Sequence, residues 1–367
     1  MKNIFLKCYF AFFVTLSILG LSSCGTDTET KKTEFNRKEL LENIATNLIV
    51  PSYQNLATST NSFVEATQTF AANPSISTLE AAQNTWKTAY LSFQDANAYN
   101  FGPAQGTLGS LNENIGTFPA SQTKIENYIA VGDASLTNFD RDARGFLGAE
   151  YLLFGRETNE SIVQKYNDQK RKAYLLAVVE DIKNKVEDVN KAWKNGYTQE
   201  FINNTGTDAG SGVSILFNEW NKSFESIKNF KLGLPLGRRA GQTASNPALV
   251  EAYYSKQSIT FLKAHFTNIE RIWYGKSLNG QDKVGFEEYL MSVEGGEAIV
   301  TETKAQLAIV NQAMNALPSE NLQIQIESNP TAINNLLTEM QKLTRFFKSE
   351  MTSLLGITIT YDSGDGD

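Results

Sequence analysis

The chain holds one histidine, His265, and two cysteines, Cys8 and Cys24. A Cys/His zinc site needs more ligands than these, and a disulfide framework has no material to be built from. A Ser-His-Asp triad would have to use His265. Cationic residues are also in short supply: Lys and Arg number 33 against 40 Asp and Glu, a formal charge of −7. With no basic excess to neutralise phosphates, nucleic acid is not an expected partner. After the N-terminal segment no second long apolar run occurs, so a further membrane span is not expected. Apolar residues are not scarce. They make up 41% of 367 residues, enough for two ordinary domains or one large core.

The first residues read as an address. Lys2 and Lys7 precede a strongly apolar stretch, Ile4 to Leu21, that ends in Leu21-Ser22-Ser23-Cys24-Gly25. This is the pattern of a secretory signal peptide, residues 1–23, and its end looks like a bacterial lipobox. Small Ser22 and Ser23 suit a peptidase groove, and Cys24 supplies the thiol that accepts lipid. Two or more acyl chains anchor stably, since each buried CH₂ contributes about 0.8 kcal/mol. Residues 24–34 are polar and lack a helical stripe, as a tether would. The expected location is the outer membrane, facing the periplasm. Asp27 and Glu29 after the cysteine leave surface exposure open.

The body carries helical periodicity. Val179, Ile182, Val186, Val189 and Trp193 step by three and four, with Lys183, Lys185, Glu187 and Asp188 opposite. Phe217, Trp220, Phe224 and Ile227 repeat the pattern. So do Leu307, Val310, Met314 and Leu317, and a late run from Ile333 to Leu354. Trp86, Tyr90 and Phe93 mark an early helix. Period-two alternation is confined to short pieces such as Leu322-Gln-Ile-Gln-Ile and Ile357-Thr-Ile-Thr-Tyr. The fold class is all-α. Glycine follows an aromatic residue at Phe101-Gly102, Phe154-Gly155 and Tyr274-Gly275, each a helix stop. Pro51 should kink or break the apolar stretch around it.

The breaker-rich segment 203–212 divides the chain after the tether nearly in half. The expected organisation is an N-terminal helical bundle over 35–202, a linker over 203–212, a C-terminal bundle over 213–358 and a tail over 359–367. An internal duplication would relate the two bundles.

Arg144-Gly-Phe-Leu-Gly-Ala-Glu-Tyr-Leu-Leu-Phe-Gly155 resembles the signature region of the imelysin-like family, whose members carry G-x-H-x-x-E before an apolar stretch and a glycine. Asn100-Phe-Gly-Pro103, Leu111-Asn-Glu-Asn-Ile115 and Glu251-Ala-Tyr-Tyr-Ser-Lys-Gln-Ser258 are similar to further family segments in the same order, and Leu355-Gly-Ile-Thr-Ile-Thr-Tyr resembles the ending. The resemblance covers most of the chain beyond the tether. It implies paired helical bundles and an envelope protein associated with iron acquisition. It also brings a peptidase label and a metal site proposed for the motif.

Here the motif keeps Gly145 and Glu150 but has Leu147 in place of histidine. Positions i and i+3 share a helix face, so a histidine there would join Glu150 around a cation. Leucine offers no lone pair, and one carboxylate cannot hold a transition metal tightly. The plain reading of Glu150 is a surface or ion-paired acid, with Arg144 or Arg156 beside it. Glu150 with His265 is the remaining candidate metal pair, for iron or another divalent cation. The plain reading of His265 is a partly buried, hydrogen-bonded side chain. A second candidate patch combines Arg238 and Arg239, in a glycine-containing loop suited to anions, with Glu251, Ser255 and Ser258. Its plain reading is a surface connection with helix-bracketing serines.

These residues point to a non-catalytic envelope lipoprotein with a binding or accessory role in iron or haem acquisition. Other iron-uptake envelope proteins would be its partners. Two alternatives stand beside it: a metal-dependent peptidase using Glu150, and a structural lipoprotein that binds a partner without metal.

Overall fold

The computed structural model describes residues 34–317 and 321–361. The signal segment, Cys8, Cys24 and the tether up to residue 33 lie outside them, as does the tail from residue 362. Among the described residues every regular element is helical except one antiparallel pair of two-residue strands, Gln105–Gly106 and Gly109–Ser110. The fold is all-α.

Helix α1 (Arg37–Ile44) runs through a π-helical turn, Ala45–Ile49, into α2 (Val50–Ala72). The first half continues with α3 (Ile76–Ala96), α4 (Leu111–Ile115), α5 (Gln122–Val131), α6 (Gly145–Phe154), α7 (Asn159–Lys165), α8 (Gln169–Ala192) and α9 (Thr198–Asn203). The second half holds α10 (Gly212–Ser226), α11 (Ser258–Tyr274), α12 (Phe286–Met291), α13 (Gly296–Asn315), α14 (Leu322–Ser328), α15 (Thr331–Thr344) and α16 (Met351–Leu355). Three more π-helical segments, Trp193–Tyr197, Ile227–Gly233 and Arg345–Glu350, follow α8, α10 and α15.

Helix α2 lies along α3 and α8, with α6 packed against α3 and α8. In the second half α13 packs on α15, while α11 meets α10 and α12. Contact between α3 and α11 joins the halves, and the chain from Phe35 onward forms one compact unit.

The amphipathic stripes decide these pairings. On α8 the residues Tyr174, Val178, Ile182, Val186 and Val189 are buried, while Lys191 and Glu187 form an i,i+4 pair on the other side. Such an exposed pair adds only about 0.3–0.5 kcal/mol, so the apolar face does most of the holding. All four tryptophans are fully buried. Trp86 donates its indole N–H to the Phe146 carbonyl (2.8 Å), stacks on Tyr90 and meets Phe261, from the other half, edge-to-face. Trp220 donates to the Ile269 carbonyl (3.0 Å) and sits against Phe286 and Phe347. Polar side chains also cross between halves. The Asn43 amide donates to the carbonyls of Gly275 and Val284, and the Tyr99 hydroxyl donates to Asn268 Oδ1.

Helix stops follow the aromatic-glycine pairs. Gly275 ends α11 in the left-handed region, φ 65°, and a Cβ there would stand 2.4 Å from the Val284 carbonyl carbon. Pro51 does not break its helix. The widened turn at Ala45–Ile49 comes just before it and alters the hydrogen-bond ladder where proline has no N–H to give. Leu322-Gln-Ile-Gln-Ile is helical, not extended. It buries Leu322, Gln325 and Ile326, which share a helix face.

Candidate functional site: a buried acid pair where the halves meet

A helix that is apolar all round has to lie in the interior. Helix α6 is such a helix, buried from Gly145 to Leu153. Gly145 starts it with φ 68°, and a Cβ there would come within 2.6 Å of the Ile115 carbonyl oxygen at the end of α4. The first motif glycine is therefore demanded by a close approach of backbone. Arg144, just before it, bonds the Leu136 carbonyl and Asn114 Oδ1.

Glu150 is carried inward with the rest of α6 and is 1% exposed. It is not a surface acid. Its Oε1 accepts the backbone N–H of Ser255 at 2.7 Å. Burial pushes its pKa up to about 8, against the hydrogen bonds from Ser255 and with a further push from Glu251. At neutral pH Glu150 thus keeps its proton. Leu147 and Glu150 line a cavity of 220 Å³ together with Arg156, Tyr253 and Tyr254. The Arg156 guanidinium rests over the Tyr253 ring, 5.1 Å from its centroid.

The segment facing Glu150 is held in an uncommon shape. Ala252 and Lys256 have φ of 54° and 60°, each costing about 1–2 kcal/mol for a residue with a Cβ. Between them the chain aims the Ser255 amide at Glu150, and Glu251, just before them, enters the core. Glu251 is 2% exposed. Its Oε1 accepts the Tyr90 hydroxyl at 2.6 Å, and its Oε2 lies 2.9 Å from Lys231 Nζ as an ion pair. Lys231 also donates to Gln94 Oε1 at 2.7 Å. Burial lowers the Lys231 pKa, and Glu251 opposes that shift. The Ser258 hydroxyl donates back to the Glu251 carbonyl at the start of α11.

His265 faces Ser223 on α10, its Nε2 2.7 Å from the hydroxyl oxygen. It is fully buried, and its Nδ1 has no hydrogen-bond partner among the described residues. Burial, and then the positive charge of Lys231, hold its pKa well below the usual histidine value, so the ring is neutral. Ser223 and His265 resemble two members of a triad, but among the described residues no carboxylate bonds the ring.

The structure thus brings Glu150, Glu251, Ser255 and Ser258 into one buried cluster. The contacts of His265 are different from those of Glu150. Arg238 and Arg239 line another cavity altogether, with Lys228, Arg345 and Lys348. Among the described residues no group of three His, Cys, Asp or Glu side chains can enclose a cation. A protonated Glu150 beside a leucine is a donor set that does not fit a transition-metal ion.

Sequence reasoning missed Lys231, Gln94 and Ser223. One signal was present for Lys231: it continues the apolar stripe Phe217, Trp220, Phe224, Ile227 by one more step of four. A lysine in phase with a core stripe calls for a buried acid, and Glu251 is that acid.

A family model described as Imelysin matches residues 49–346. Iron-regulated protein A of Synechococcus elongatus is 20% identical over 292 residues, 76% of each chain. Two crystal structures share the fold. One, described as a putative iron-regulated protein A precursor from Parabacteroides distasonis ATCC 8503, aligns with a TM-score of 0.72 at 17% identity, covering 87% of this chain and 95% of that one. An imelysin-like protein from Psychrobacter arcticum 273-4 aligns with a TM-score of 0.71 at 18% identity, covering 89% and 97%. Motif helix, helical architecture and family match agree, and the chain belongs to the imelysin family.

Proposed function

We propose that the chain is a non-catalytic, lipid-anchored protein of the bacterial cell envelope with a binding or accessory role in iron or haem acquisition. The state of Glu150 carries the non-catalytic part. It is buried, hydrogen-bonded to Ser255 and one helical turn from Leu147 instead of a histidine, so it does not belong to a metal ligand set. The link to iron is supported by relatives that carry the name iron-regulated protein A. The lipid anchor rests on the N-terminal pattern that ends at Cys24. Membrane attachment then runs through the acylated cysteine, on the periplasmic face of the outer membrane. Its working partners are other envelope proteins of iron uptake.

The test is uptake of labelled iron and of haem by iron-limited cells lacking the chain, complemented by variants. Wild type and Glu150→Gln should both restore uptake, because glutamine reproduces the neutral acceptor. Cys24→Ala should fail by releasing the protein from the membrane. Loss of function with Glu150→Gln, together with zinc-dependent peptide hydrolysis by the wild type, would establish the peptidase reading instead. Unchanged uptake in the deletion strain would remove the iron role.

A further inference from the structure

The loop after the π-helical segment Ile227–Gly233 is fixed by its own hydrogen bonds. The Arg238 amide donates to the Gly233 carbonyl at 2.8 Å, and the Arg239 amide donates to Gln242 Oε1 at 3.0 Å. Gln242 in turn donates to the Leu234 carbonyl. The side chains are steered as well. Arg238 Nη2 donates to Asn334 Oδ1 at 3.1 Å, and the Arg239 guanidinium lies 4.6 Å above the Phe230 ring. Both line a cavity of 380 Å³ together with Lys228, Arg345 and Lys348.

Among the described residues, five cations and no acid line this cavity, in a chain whose net charge is −7. Carboxylates pair with some of these: Glu225 with Lys228, and Glu302 and Glu350 with Arg345. Arg238 and Arg239 have no carboxylate at ion-pair distance among the described residues. Ser349 adds a hydroxyl to the lining. Like charges are gathered here against their mutual repulsion, and an anion would relieve it. Guanidinium forks match planar carboxylates and phosphates with paired N–H bonds. The volume lies in the range of about 300–1,000 Å³ that takes small molecules.

We propose that this cavity binds a small soluble oxyanion with two or more negative charges, of the phosphate or polycarboxylate class. The site is separate from the Glu150 cluster and stands or falls without the role in iron uptake.

Calorimetric titration of the purified full-length lipoprotein with inorganic phosphate, pyrophosphate and citrate tests it. One saturable site for pyrophosphate or citrate is expected, weakening with added salt. The pair Arg238→Gln/Arg239→Gln should weaken it by about tenfold or more, the worth of one lost charge-assisted bond. Arg345→Gln, from another segment lining the cavity, is an independent arm and should weaken it too. Lys222→Gln, an exposed charge on α10, should leave it intact. Thermal unfolding of the unliganded variants confirms that each is folded. Absence of saturable heat with all three anions, or equal weakening by Lys222→Gln, would overturn the proposal. So would binding seen only with phosphatidylglycerol vesicles, which would make the patch a membrane contact.

Discussion

Ser255 donates its backbone amide to Glu150 Oε1 from 105 positions further along the chain. The bond ties the strained segment between Glu251 and Lys256 to the motif helix α6, and so one half of the molecule to the other. Its acceptor is a carboxyl that keeps its proton at neutral pH. That state, rather than the bare presence of the acid, is what the surrounding residues determine.

Glu150 makes stability pH-dependent in a defined direction. Its pKa is about 8 in the folded protein and ordinary, near 4.5, when unfolded. Between those values the folded state binds the extra proton. The stabilisation is complete below the unfolded value and is lost as pH rises through the folded one, at up to about 1.4 kcal/mol per pH unit. Urea unfolding of wild type and Glu150→Gln should therefore diverge with pH, the variant being the more stable at about pH 8. Parallel curves would contradict the buried neutral acid.

The Lys231–Glu251 pair is buried on both sides, so removing one partner strands a charge. Lys231→Met should destabilise by about 3–5 kcal/mol. The double variant Lys231→Met/Glu251→Met should recover most of that loss. Denaturant midpoints of the two single variants and the double complete the cycle. Additive losses would mean that the two groups act independently.

Two glycines with positive φ separate close packing from backbone strain. Gly145→Ala meets both the left-handed conformation and the Ile115 carbonyl, and should cost more than about 2 kcal/mol. Gly196→Ala has nothing within 4 Å of the new methyl and should lose about 1 kcal/mol. Comparable losses would show that α6 and α4 can move apart.

Restoring the motif histidine should not restore a metal site. Leu147→His places one imidazole a turn before Glu150, still short of the three protein ligands of a catalytic zinc. The thermal midpoint of that variant should stay unchanged when zinc is added. A clear rise would mean that Glu150 ionises to meet the cation and that a further ligand is within reach.

The helical architecture was legible because its signals are local. The stripes of α8, α10 and α15 and the stops at Gly155 and Gly275 arise from neighbours in sequence. Local signals also misled. At Leu322 to Ile326 period two and period four coincide at the ends, and the helix prevails because Gln325 joins the buried face. Pro51 lost its expected effect to the π-helical turn beside it, which no composition rule announces. Around the site, motif spacing located Glu150, but its depth depends on an all-apolar helix being enclosed by segments from a hundred residues away. The partners Tyr90, Gln94 and Lys231 come from elements that meet only after folding.

The segment Ile227–Gly233 is a helical stretch with a wider ladder than an α-helix, and two lysines leave it in different company. Lys228 pairs with Glu225 and bonds Thr344, both Lys228 and Thr344 lining the basic cavity. Lys231 pairs with Glu251 in the core. In a regular α-helix, residues three apart share a face. Tightening this one coil by deleting a residue would swing both ammonium groups together, so neither compartment can be re-engineered through the backbone while the other is left untouched.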